Sequence, residues 1–154
     1  VYRKHMEMLS AADIDVIFFD CTNGNSTFRA QYETLFTAMT DAKKDGLKVP
    51  GFAFMLGLFD TNDSERTSLM NKSKRVYLNI YKDEKWKDLW FYWEGKPLLL
   101  AYDNVLTPRK IGLEVDTEDL YLIEDIKDFF TFRPIESTYR SEYDRDDQWG
   151  WIGV

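Results

Sequence analysis

Three short apolar runs constrain this chain more than any other feature: Val16-Ile17-Phe18-Phe19, Phe52-Ala53-Phe54-Met55-Leu56 and Leu98-Leu99-Leu100-Ala101-Tyr102. None of them alternates apolar with polar residues. Each therefore reads as a strand buried on both faces, the pattern of a parallel sheet covered by helices. The stretches between them carry helical periodicity instead. Tyr2, Met6, Leu9 and Ala12 mark the face of a first helix, ahead of a strand over 15–20. The loop Cys21-Thr22-Asn23-Gly24-Asn25 leads to a helix whose face is Phe28, Tyr32, Leu35, Phe36, Met39 and Ala42. Ser26 or Thr27 is its expected N-cap, and Gly46 its expected C-terminal stop.

The unit then repeats. Val49–Leu56 forms a second strand, and Asn62 with Glu65 makes a capping box for a helix through Leu69, Val76, Tyr77 and Ile80. A short helix around Trp86 and Leu89 follows. Two apolar runs flank Glu94-Gly95-Lys96, which reads as a hairpin feeding a third core strand at 98–102. The stretch 103–117 reads as loop, Leu120, Ile123, Ile126 and Lys127 as a further helix, and Phe129–Arg133 as a fourth strand.

Strands alternating with helices define an α/β chain with parallel order, which right-handed crossovers close into a barrel or leave as an open doubly wound sheet. Neither a dinucleotide fingerprint nor a P-loop occurs. The chain has 154 residues, and a (β/α)8 barrel takes about 250, so its βα units amount to about half of one. It begins inside a helical pattern, and Trp149-Gly150-Trp151-Ile152 reads as a strand just beginning. The expectation is therefore parallel βα units of a TIM-type (β/α)8 barrel, incomplete in this chain, with 1–154 one α/β domain or a piece of a barrel catalytic domain.

Charge and rare residues narrow the function. Lys and Arg total 20 against 27 Asp and Glu, a net charge of −7, the opposite of the basic face that nucleic acid or an anionic membrane surface requires. No apolar run approaches the roughly 20 residues of a membrane span. With one cysteine, Cys21, and one histidine, His5, internal disulfides and sites needing two imidazoles are excluded. No metal and no cofactor is expected.

The path Tyr2-Arg3-Lys4-His5-Met6 and then Val16-Ile17-Phe18-Phe19-Asp20-Cys21-Thr22-Asn23-Gly24 resembles the helix and second strand of glycoside hydrolase barrels of the family 99 and family 71 type, uncharacterised bacterial relatives included. Asp88–Tyr102 looks like their aromatic hairpin before the fourth strand, and Phe129–Pro134 and Gln148–Trp151 resemble the strands that follow, so the likeness spans roughly the second to sixth strands. The resemblance implies a periplasmic or extracellular barrel acting on a poly- or oligosaccharide through two carboxylates. It also implies that in family 99 the paired carboxylates lie late in the barrel, so a further segment of the same barrel is an expected partner.

Loops after the C-terminal ends of barrel strands build active sites. Asp20 closes the strand over 15–20, and its carboxylate there can act as acid or base or simply cap the next loop. Asp60, Asp103 and Glu136 each follow a strand closely enough to reach the same face. Asp20 and Glu136 are the candidate catalytic pair. Asn23, Asp103, Arg133, Trp149 and Trp151 are the candidate substrate contacts. Arg133 ends an apolar strand and needs a partner, a substrate anion or Asp103 or Asp20. Trp149 and Trp151 alternate along a strand, so one can stack on a sugar ring while the other packs inward. Trp90 and Trp93 read as hairpin core. Cys21 becomes a nucleophile only if a neighbouring base lowers its pKa. The competing readings are a carbohydrate-binding protein without catalysis and, more distantly, an aspartate-nucleophile phosphotransferase, whose second acid would fall where Thr22 stands.

Overall fold

The computed structural model describes residues 1–58, 62–135 and 146–150. Helix α1 (Tyr2–Ala11) leads into strand β1 (Val16–Asp20), then α2 (Arg29–Lys44), β2 (Gly51–Met55) and α3 (Asp63–Val76). A hairpin of β3 (Tyr92–Trp93) and β4 (Lys96–Leu100) follows, then a small hairpin of β5 (Lys110–Ile111) and β6 (Glu114–Val115), helix α4 (Thr117–Phe129) and strand β7 (Thr131–Phe132). Strand β1 pairs with β2, β2 with β4 and β4 with β7, all parallel, while β3 runs antiparallel against the start of β4. Each new parallel strand is added on the same side of the last. A doubly wound sheet reverses direction once, and no such reversal occurs among the described strands.

That winding places the helices on one face. Met6 of α1, Tyr32 and Phe36 of α2, Leu69 and Val76 of α3 and Ile123 and Ile126 of α4 pack with Phe52, Phe54, Leu99 and Phe132 of the sheet in one core. The other face is smaller: Ala53, Met55, Leu98, Leu100 and Ile135, against which Leu58, Phe91 and Trp149 pack. Parallel partners share a face, so Phe18, Ala53, Leu98 and Thr131 form one row across it. Burial on both faces, expected of every core strand, holds for β2 and β4. It fails for β1, where Phe18 on the second face is 41% exposed because little covers that end of the sheet.

Local structure follows the sequence at most turns. Gly46 (φ 86°) stops α2, with Gly46 N–H donating to Lys43 O and Leu47 N–H to Ala42 O, the pair of bonds that closes a helix around a left-handed glycine. Glu94 (φ 52°) and Gly95 (φ 83°) form the two-residue turn of the β3–β4 hairpin, left-handed at both positions as such turns require. The N-terminus of α2 departs from expectation. Neither Ser26 nor Thr27 caps it. Phe28 takes the cap position in a left-handed conformation, without a side-chain cap, while Ser26 Oγ accepts from Phe28 N–H instead.

Helix α3 runs into a π turn, Tyr77–Tyr81, in which Lys82 N–H donates to Tyr77 O. The wider turn brings both Tyr77 and Tyr81 inward, against Phe129 and Phe130 of the α4 end. Lys74 of α3 reaches Asp119 of α4 at 2.5 Å, both side chains largely buried. The stretch 103–117, read as loop, contains a short 3-10 turn and the β5–β6 hairpin. Among the described residues, no helix is long and apolar enough to cross a membrane.

Candidate functional site

A polar cleft of about 300 Å³ opens beyond the C-terminal ends of β1 and β2. Thr22, Gly24 and Asn25 of the β1–α2 loop form one wall, Leu56, Gly57 and Leu58 after β2 the back, and Ser64, Glu65, Ser68 and Lys72 of α3 the other wall. The capping box expected at the start of α3 forms in the half that matters to this wall, with Asn62 accepting a 3.0 Å hydrogen bond from Glu65 N–H. This fixes the first turn of α3 and hence Ser64 and Glu65 at the cleft.

Helix α3 also holds the opposite wall. Ser68 Oγ donates to Asn25 Oδ1 at 2.5 Å, Arg75 donates to Asn25 O at 2.7 Å, and Lys72 Nζ donates to Cys21 O at 2.7 Å. Lys72 is only 2% exposed and has no ion pair among the described residues. Burial lowers its pKa, with Arg75 adding to the effect against the opposing pull of Cys21 and Asp20. Burial in turn raises the Cys21 thiol to about 11, although the Lys72 charge works the other way. Cys21 is therefore a protonated, buried thiol with no nucleophilic character at neutral pH.

The expected site residues do not converge on one point. Asp20 is exposed at the end of β1, its Oδ1 accepting from Thr22 N–H at 2.9 Å and Thr22 Oγ at 2.7 Å. Its Oδ2 has no hydrogen-bond partner among the described residues. Asp20 borders a smaller, mostly apolar hollow with Phe19, Thr27 and Tyr32, while its hydrogen-bond partner Thr22 lines the polar cleft. Asn23 is exposed on the same loop, while its neighbours Gly24 and Asn25 face the cleft. Asp103 opens the 3-10 turn after β4, half-buried.

Arg133 follows β7 in register with Leu100 and pairs with Glu94 of the hairpin at 2.7 Å, rather than with Asp103 or Asp20. It also donates to Phe132 O. Trp149 is half-buried, edge-on to Trp93 at a ring separation of 5.1 Å and bridged to Ile135. That contact makes Trp149 and Trp93 a packing pair over the second face of the sheet. Of the two tryptophans expected as hairpin core, Trp90 is buried while Trp93 is 40% exposed. Asp60, Glu136 and Trp151 lie outside the described residues. Among those described, no group of three or more His, Cys, Asp or Glu side chains is placed to hold a metal ion.

Lys72 is the residue the sequence analysis missed. Its signal was present: Leu69, Lys72, Ser73 and Val76 share the inward face of α3, so a lysine sits in an apolar stripe where a charge needs a reason. Comparison with protein-family models, curated proteins and solved structures finds no match.

Proposed function

We propose that this chain forms part of the substrate face of a (β/α)8-type glycoside hydrolase acting on an oligo- or polysaccharide. The observation that carries the reading is the polar cleft at the C-terminal edge of β1 and β2, where hydroxyls, an amide and a carboxylate meet. Strands added in one direction with helices on one face support the barrel architecture, and in that architecture the C-terminal edge is where substrate binds. Sugars are recognised by such mixed donors and acceptors, each hydroxyl both giving and taking a hydrogen bond.

In this reading Asp20, which borders the neighbouring apolar hollow at the end of β1 rather than the cleft itself, supplies one carboxylate, and Glu136 supplies the second. One protonates the leaving oxygen while the other attacks the anomeric carbon or activates water. Thr22 fixes the orientation of the Asp20 carboxylate by two hydrogen bonds to Oδ1, and in this reading Asp20 takes the nucleophile or base role.

The same two bonds favour one alternative, a carbohydrate-binding protein in which Asp20 only shapes its turn. Release of reducing ends from a polysaccharide panel, measured with wild type and Asp20→Asn, separates the two. Hydrolysis that the variant loses supports the enzyme. Saturable binding without release supports the binding protein. Neither binding nor release overturns both.

A further inference from the structure

We propose that the cleft walled by Lys72 takes the carboxylate of an acidic sugar, a uronic acid unit of the glycan. The inference rests on the carbohydrate reading above and names its substrate class. A buried ammonium is costly unless a counter-charge meets it. Lys72 has only the neutral Cys21 carbonyl, at 2.7 Å, and no carboxylate partner among the described residues. Two of its N–H donors are thus unspent, on a side chain that lines the cleft.

The surrounding groups decide which anion fits. Asn25 has its Oδ1 taken by Ser68, which leaves its Nδ2 donors for a ligand, and Ser64 adds a hydroxyl. Glu65, however, also lines the cleft. A doubly charged phosphate would meet that carboxylate with repulsion. A singly charged ligand rich in hydroxyls suits it, since Glu65 then accepts from a hydroxyl while Lys72 meets the carboxylate. A volume of about 300 Å³ is at the small end of ligand sites, the scale of one sugar unit rather than a long chain.

The test is calorimetric titration of the whole 154-residue chain with D-glucuronate, D-galacturonate, D-glucose, D-galactose and sodium sulfate at matched ionic strength. The expected result is that a uronate binds about tenfold or more tighter than its neutral counterpart, the worth of a charge-assisted hydrogen bond. Lys72→Met should remove that preference. Asn25→Asp, an exposed change that leaves the core alone, should weaken uronate binding and spare glucose binding. Equal binding of glucuronate and glucose, or a preference that survives both substitutions, overturns the inference and leaves the carbohydrate reading standing. No binding of any sugar overturns both. Sulfate binding as tightly as the uronates overturns the sugar-acid assignment in favour of a plain anion site.

Discussion

The rings of Phe36 on α2 and Phe52 on β2 lie 4.0 Å apart and nearly parallel, 19° between planes, with neither residue exposed. Phe19, Tyr32, Tyr81 and Trp86 surround this pair, so it is where the second βα unit meets the helical layer. Phe36→Ala should lower the unfolding free energy by about 3–5 kcal/mol, the usual effect of emptying an aromatic core position. Urea denaturation measures it; a loss below about 1 kcal/mol would mean the stack is not central to the core.

Asn62 links stability to the cleft. Its side chain holds Glu65 N–H at the start of α3. Asn62→Ala should destabilise by about 1 kcal/mol and Asn62→Asp by far less. Because Ser64 and Glu65 stand on that turn, Asn62→Ala should also weaken sugar binding. Thermal unfolding together with titration distinguishes this from a purely structural cap, which would move only the first.

Lys72 and Cys21 should leave opposite marks on the alkaline stability profile. The thiol ionises at its ordinary 9.0 in the unfolded chain but near 11 in the fold. Above pH 9 the folded state therefore holds the extra proton, and stability falls as pH rises. Lys72 has a lowered pKa in the fold. Below the ordinary lysine range the unfolded state then holds the extra proton, so this group makes stability rise with pH. Cys21→Ala should reduce the falling component, to which the raised Tyr32, Tyr77 and Tyr81 also contribute as pH nears 10, and Lys72→Met should remove the rising one. Lys72→Met should change stability at neutral pH little, since it removes a buried charge with no ion pair among the described residues but also the hydrogen bond to Cys21 O. Chemical denaturation at pH 7 to 10 reads all three effects.

Arg133 is paired within the fold, so its removal should act on stability rather than on ligand. Glu94 is 62% exposed at its side chain against 15% for Arg133. A pair so open on one side is worth about 0.2–1 kcal/mol in a double-mutant cycle. Glu94→Gln should cost no more than that, and Arg133→Gln should leave sugar binding unchanged. Loss of binding in Arg133→Gln would make it a substrate clamp after all.

The elements that sequence periodicity made legible are those whose burial is one-sided or complete over several residues: the helix carrying Phe36 and Met39, the strand Phe52–Met55, the hairpin turn at Glu94 and Gly95. The cap of α2 was not legible, because a phenylalanine in a left-handed conformation has no propensity signal; its neighbours on the loop decide it. The exposure of Phe18 was hidden for a similar reason. An apolar residue reads the same whether another layer covers it or not. Asp20 closes β1 with Asn23 on the loop beyond it, since strand ends follow from where the apolar run stops, but neither residue lines the polar cleft. Which side chains turn toward the cleft depended on α3, and the partner of Arg133 on a hairpin far earlier in the chain. Neither distance is written in local pattern.

The π turn at Tyr77–Tyr81 has a consequence for how this chain tolerates change in length. An extra residue in a helical turn rotates everything after it by about 100°, one residue's share of a 3.6-residue turn. Here that rotation presents Tyr81 to Trp90 and Phe130 and lets the chain deliver Trp86 against Phe36. Deleting one residue between 77 and 81 would restore ordinary α-helical spacing and yet point the following aromatics away from their partners. The turn Gly112-Leu113 between β5 and β6, where Leu113 is fully exposed, has no such phase to keep. Insertions and deletions should therefore accumulate there in variants of this chain and be purged from the π turn, although both segments are a few residues long.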